Sequence, residues 1–267
     1  QAWPALRFSP QFLPHPLEMN SAPEEVQQDV GPALVRKFSE NFEAHKALDA
    51  KIRTVSGACW PDPDPIVGAG PRADDVTRMN TTAVRQIFQV RSEADVVHVL
   101  TMARAEGIRV SMRGTQHSMG GQSIAPGGYV MDMKKLSHMR YDNETGLVTC
   151  GTGCTWADLI RYLNQFGMSP RTMQSYSSFS VGGTIAVNGH GITTDECLAE
   201  SVRSFRLVKW DSSVVVCSRE AAKGSDSREL FGLAIGGYGL FGVITEVTML
   251  TNPNVHLTME KVSLSVE

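Results

Sequence analysis

The amino-acid sequence predicts an α+β fold built of two successive α/β layers behind an N-terminal Pro-rich and helical extension. Three observations predict it. Strand-like and helix-like patterns alternate from about residue 76 onward. A stretch rich in proline, glycine and aspartate, residues 57–72, separates that alternation from what precedes it. A glycine-rich run also follows directly on a short strand and leads into another strand instead of a helix. The division expected is an extension over 1–75, a domain over 76–252 and a terminal piece over 253–267.

The elements follow in order. Pro4, Pro10, Pro14 and Pro16 make residues 1–20 an extended arm. Ser21-Ala-Pro-Glu24 is a capping box. It opens a helix with Val26, Val30, Leu34, Phe38 and Phe42 on one stripe, broken or kinked at Gly31-Pro32. Residues 84–90 alternate as a strand. Ser92-Glu-Ala-Asp95 caps a helix whose Val96, Val99, Leu100 and Ala103 share a face and which Gly107 ends. Residues 108–112 form a second strand and complete a β-α-β unit. A strand at 129–133 follows the glycine-rich run. The second layer comprises a strand at 147–150 and a helix at 155–166 with Trp156, Leu159, Ile160 and Leu163 inward. Strands near 204–209 and 213–217, a short helix at 230–235 and a closing strand at 242–250 complete it.

Composition narrows the function classes. Charged residues make up 20% and the formal net charge is -3, with no Lys/Arg-rich run, so neither nucleic acid nor an anionic membrane is expected as main partner. No apolar stretch approaches the roughly 20 residues of a transmembrane helix. The five cysteines, Cys59, Cys150, Cys154, Cys197 and Cys217, are odd in number and scattered, so they imply no complete disulfide framework. Cys150 and Cys154 lack a second ligand pair nearby, and no metal is expected. Asn80-Thr-Thr and Asn143-Glu-Thr match the glycosylation sequon. Gln1 in place of Met suggests a processed chain, hence an organelle or secretory route, with the compartment open.

Arg113-Gly-Thr-Gln-His-Ser-Met-Gly-Gly-Gln122 is the most informative segment. Glycines after a strand let backbone N–H groups converge on an anion. There is no Gly-x-Gly-x-x-Gly and no P-loop lysine, and no helix starts here to aim its N-terminus at a phosphate. The loop must do the cradling itself, through its N–H groups and the hydroxyls of Thr115 and Ser118.

Gly114-Thr-Gln-His-Ser118 resembles the pyrophosphate loop of the vanillyl-alcohol oxidase/p-cresol methylhydroxylase flavoproteins, nearest the aldonolactone oxidase, alditol oxidase and cytokinin dehydrogenase branches. Ser180-Val-Gly-Gly-Thr-Ile-Ala-Val-Asn-Gly-His-Gly191 resembles the family's second flavin-contacting loop, and Phe231 to Thr245 its closing strand. The resemblance covers about residues 76–252. It implies a two-lobed α/β FAD-binding domain of the PCMH type, with FAD as cofactor and His117 joined to the flavin's 8α carbon. It further implies that Met112, Gly114, Thr115, Gln116, Ser118 and Gln122 wrap the pyrophosphate and ribose. Ser175, Ser180, Ala186 and His190 would line the second wall, and Ile244 would meet the cofactor through its backbone.

Two departures qualify the resemblance. Ser175 stands where cytokinin dehydrogenases carry an aspartate, which argues against an amine donor; Tyr176 stands where berberine-bridge-type relatives carry a second flavin-linking cysteine. The family's substrate (cap) domain is also expected to be small or missing here, since Val255-His-Leu-Thr-Met-Glu-Lys-Val262 resembles only its first strand. The catalytic acid/base therefore has no candidate.

The first reading is an FAD-dependent oxidoreductase acting on a CH–OH donor, a sugar, alditol or aldonolactone, with O2, a cytochrome or a quinone as acceptor. The second is an FAD-binding subunit with a structural or electron-relay role, its partner chain supplying the cap or the acceptor. A third, a metal or thiol enzyme on Cys150, Cys154 and His138, is the weakest.

Overall fold

The computed structural model describes residues 5–7, 70–191, 196–256, 258 and 260–262. The helix and kink expected over 21–50, and most of the linker, lie outside the described residues. The chain divides into two units, Gln1–Asp62 with Val255–Glu267, and Pro63–Asn254. In the first, strand β1 (Ala5–Arg7) pairs antiparallel with β13 (Glu260–Val262). So the expected arm contains a strand, and the strand expected from Val255 begins later.

The second unit opens with a hairpin of β2 (Arg72–Ala73) and β3 (Thr82–Ala83), ahead of Val76, where the domain was expected to start. Two lobes follow. The first is a three-stranded parallel sheet, ordered β4 (Gln86–Gln89), β6 (Tyr129–Asp132), β5 (Val110–Arg113), with helix α1 (Glu93–Glu106) crossing from β4 to β5. Ser92 and Asp95 cap α1 reciprocally, Gly107 closes it in the left-handed conformation, and Val96, Val99, Leu100 and Ala103 are its buried face, as the spacing predicts. That face packs with Tyr129, Met131 and Met133.

The second lobe is a mainly antiparallel sheet ordered β11 (Val214–Ser218), β10 (Val202–Val208), β12 (Val243–Pro253), β8 (Leu147–Gly151), β7 (Met139–Asp142), with β9 (Met168–Pro170) also on β12. Helices α2 (Trp156–Asn164), α3 (Val181–Ala186), α4 (Leu198–Ser201) and α5 (Asp226–Ala234) accompany it. Trp156, Leu159 and Leu163 of α2 are fully buried beside Ile185, Phe205 and Val247, whereas Ile160, expected inward, is only half-buried. The expected helix at 230–235 starts earlier, at Asp226, because Ser225 caps it by accepting from the Arg228 amide. Strands β7 and β9 and helices α3 and α4 were not expected. Helix α3 contains two adjacent glycines, poor helix formers; burial of Val181, Thr184 and Ile185 accounts for it better than local propensity does.

The two lobes meet closely. A Cβ on Gly153 would lie 1.9 Å from the Met133 carbonyl oxygen, so only glycine lets the turn after β8 approach the first lobe. Across the same junction Arg206 of β10 donates to Glu93 at the start of α1, Nε at 2.9 Å and Nη2 at 2.7 Å, and the Thr245 hydroxyl adds a third bond at 2.9 Å. Arg206 first, then Thr245, hold the Glu93 carboxyl below the ordinary glutamate range against the opposing effect of burial. A carboxylate with a depressed folded-state pKa stabilises above its unfolded value and loses that contribution as pH falls through the folded one. Glu93→Gln should therefore lower thermal stability at neutral pH by about 1 kcal/mol, a modest figure because the pair is half-exposed to screening solvent. Melting curves compared between pH 7 and pH 3 should show the gap to wild type closing below about pH 4.3, the ordinary glutamate value.

Candidate functional site

Strand β5 delivers the glycine-rich loop to the edge of a cavity of about 380 Å³ between the lobes, a volume within the range of cofactor sites. At its foot Arg113 donates through Nε (3.1 Å) and Nη2 (2.9 Å) to the fully buried Asp132, which Lys134 also approaches at 3.4 Å. Asp132 thus engages the guanidinium at the entrance to the loop. Beyond it the amides of Thr115, Gln116, His117 and Ser118 donate to no acceptor among the described residues, although all four residues are half-buried and line the cavity. Gln116 sits at φ 62°, a left-handed kink of the kind that lets successive amides converge in a concave nest. An unpaired, half-buried N–H is costly, and four in sequence can receive an anion. The diphosphate of FAD has the matching chemistry.

The loop's side chains divide between the cradle and its scaffold. The Gln116 amide group donates to the Asp74 carbonyl (2.8 Å), the Gln122 amide oxygen accepts from Gly120 N (3.0 Å), and the Ser118 and Ser123 hydroxyls share a bond (3.0 Å). His117 lies against Phe179, ring centroids 4.4 Å apart, with Nε2 3.1 Å from the Ser178 hydroxyl.

The opposite wall rises from Ser180. Its side chain is buried and makes no capping bond to α3. A Cβ on Gly114 would lie 2.1 Å from the Ser180 hydroxyl, so the two loops touch at the cavity floor only because Gly114 has no side chain. Buried Trp156 fixes this wall by donating to the Thr184 hydroxyl (2.9 Å), which in turn donates to the Ser180 carbonyl (3.0 Å). Thr152 ties in the third wall: its carbonyl accepts from Gly182 N (2.9 Å) and its hydroxyl donates to the Ile244 carbonyl (2.8 Å).

Of the site residues expected from sequence, Met112, Gly114, Thr115, Gln116, His117, Ser118, Gln122, Ser180, Ala186 and Ile244 all line the cavity. Ser175 and His190 do not. Ser175 is exposed in the segment before Ser180, and exposed His190 bonds through Nδ1 to the Gly191 carbonyl (2.9 Å) while its backbone bridges to Cys197. Sequence reasoning missed Gln174, Phe179, Thr184, Tyr238 and Phe241 as lining residues. For the last two a signal existed: Gly236-Gly-Tyr-Gly239 reads as a turn, and Tyr238 takes φ 51° there ahead of β12. Among the described residues no Asp, Glu or Lys lines the cavity.

The cysteine alternative has no such geometry. Cys150 and Cys154 are enclosed in the second lobe's core, Cys154 facing the His138 carbonyl (3.6 Å), while the His138 ring bonds Glu246 (2.8 Å). Among the described residues no group of three or more His, Cys, Asp or Glu could hold a metal ion, and no helix is long and apolar enough to cross a membrane.

Comparison with known proteins agrees with the cradle. Residues 84–218, half of the chain, match the family described as FAD binding domain. An uncharacterized oxidoreductase from the fasciation locus of Rhodococcoides fascians is 31% identical over 161 residues, 60% of this chain and 35% of that protein. Cytokinin dehydrogenase 1 of Arabidopsis thaliana is 27% identical over 179 residues (65% and 30%), and cytokinin dehydrogenase 1 of Oryza sativa subsp. japonica 30% over 223 (79% and 39%). The chain spans about a third of the length of these curated relatives. They comprise cytokinin dehydrogenases and an oxidoreductase, and do not single out the aldonolactone oxidase branch expected from sequence. With a matched region that carries the loop after β5 and the wall at Ser180, the chain belongs to the FAD binding domain family and binds FAD.

Proposed function

We propose that FAD lies in the interlobe cavity with its diphosphate on the amides of Thr115 to Ser118, in an oxidoreductase whose His117 is bonded to the flavin's 8α carbon. The observation that carries this reading is the run of four amides with no acceptor among the described residues, on a wall to which those residues contribute no carboxylate. Peptide dipoles held in place by the fold stabilise a dianion without needing a lysine, and they do so more strongly in a half-buried site than in water. Met112, Gly114, Gln122 and Ser180 close around the same group, and Ala186 and Ile244 flank it; Ser175 and His190 are left outside.

FAD, when bound, supplies the hydride acceptor. The protein's share is orientation. Phe179 and Ser178 hold the His117 ring at the cavity. His117 would supply the imidazole nitrogen for the histidyl bond and give up its proton, with one hydrogen leaving the 8α methyl group; dioxygen would take up the two electrons and two protons.

For the donor we favour a CH–OH compound, a sugar, alditol or aldonolactone, on the ground that no carboxylate among the described residues lines the cavity to serve an amine. The relatives' names favour the alternative, a cytokinin. General acid/base groups must reach the reacting proton, and among the described residues the cavity lining offers no carboxylate for it. A chain spanning a third of its relatives' length supports a second reading, an FAD-binding part whose substrate cap and electron acceptor lie on other residues or another chain.

Anaerobic mixing with alcohols, lactones and a cytokinin should bleach the flavin band with one donor class; bleaching by the cytokinin alone excludes the CH–OH reading, and bleaching by none favours the second. After acid precipitation the wild-type pellet should stay yellow, whereas His117→Ala should release its flavin to the supernatant; colour in both pellets removes His117 from the link. Gly114→Ala should weaken FAD binding about tenfold, since overpacking of 1–3 kcal/mol spans that factor. Adding Ser180→Gly should restore affinity by opening the space the new methyl needs, as titrations of the paired variants would reveal.

A further inference from the structure

Ahead of the family match, which begins at residue 84, the residues joining β2 to β3 grip the cofactor loop from its outer side. Asp75 is their centre and is only 5% exposed. One carboxylate oxygen folds its own turn, accepting from the Thr77 amide (3.0 Å) and hydroxyl (2.6 Å). The other accepts from the Asn80 amide group (2.8 Å) and from the Gly121 backbone N–H (2.8 Å), which belongs to the loop. Three further bonds reach the loop from the same segment. Val76 N donates to the Ser118 carbonyl (3.3 Å), Asn80 to the Met119 carbonyl (3.3 Å), and Gln116 to the Asp74 carbonyl (2.8 Å).

We propose that Asp75 is a positioning residue for FAD: it clasps the loop from its outer side and so holds Thr115 to Ser118 in the shape that receives the diphosphate. The inference rests on the reading that this loop receives the diphosphate. Its physical basis is where the bonds fall: Asp74 holds the Gln116 side chain within the run, Val76 and Asn80 hold the Ser118 and Met119 carbonyls at its end, and Asp75 holds Gly121 just beyond. Each bond fixes a planar peptide or a side chain, so the backbone from Gln116 to Gly121 has few conformations left. A loop so held does not have to be ordered when the cofactor arrives, which strengthens binding without any contact between Asp75 and the ligand. The same bonds, that from the Thr77 hydroxyl foremost, hold the Asp75 carboxyl below the ordinary aspartate range. It is therefore an anion acceptor at neutral pH, with hydrogen bonds to charged groups among the stronger ones.

The test separates positioning from general damage by comparing ligands with and without a diphosphate. In the full chain carrying His117→Ala, so that flavin exchanges freely, FAD and riboflavin affinities are measured by flavin fluorescence with and without Asp75→Asn. The clasp predicts that FAD weakens about tenfold while riboflavin stays within about twofold, the loss expected when charge-assisted bonds that order the loop are removed. Equal weakening of both ligands, or no change for FAD, overturns it. Should Asp75→Asn fail to fold, Asn80→Ala removes one arm of the clasp and must show the same selectivity for FAD over riboflavin; its absence overturns the proposal equally. If the parent protein binds FAD no tighter than riboflavin, the loop grips no diphosphate, and the functional reading fails along with the clasp.

Discussion

Four peptide N–H groups with no acceptor among the described residues, at Thr115 to Ser118, are the constraint around which the described structure is arranged. Leaving amides unpaired in a half-buried loop costs free energy that other contacts must offset. The compensations lie on either side of the loop. The Arg113–Asp132 pair anchors its start, the hairpin before β4 bonds Gln116, Ser118, Met119 and Gly121 from outside, and Gly114 lets the Ser180 wall close up from within. In the proposed complex the FAD diphosphate would give the same N–H groups acceptors, and the cost would be returned as affinity.

The two lobes have different tasks. The parallel lobe carries the loop on β5, and the antiparallel lobe supplies the opposite walls through α3 and β12. Their junction combines backbone proximity at Gly153 with the Glu93–Arg206–Thr245 cluster. The second lobe's own core buries Trp156, which bonds Thr184 in the second wall.

Much of this was legible from sequence, wherever the determinants are local. Helix α1 was readable because its cap, its buried face and its terminal glycine all lie within 92–107 and agree with one another. The glycine-rich loop was readable as a loop between two strands, because Gly114, Gly120 and Gly121 follow β5 within a few residues. The missed features share a cause, since each depends on partners far along the chain. Helix α3 has adjacent glycines and is held by burial against residues of other elements. Asp75 meets Gly121 across 46 positions, and Tyr238 lines the cavity with its N–H on the distant Ala186 carbonyl (3.0 Å). The resemblance implied a wall position for His190, yet its ring bonds the neighbouring Gly191 carbonyl. Periodicity and caps carry no information about such long-range pairings.

The most direct test of the central claim is an amide ¹H–¹⁵N correlation spectrum of the chain titrated with FAD. Cradling predicts that the Thr115, Gln116, His117 and Ser118 N–H resonances move strongly downfield together as their protons acquire phosphate acceptors. Resonances of these four that stay put while amides elsewhere shift would contradict it, and the cofactor would have to be held by another surface.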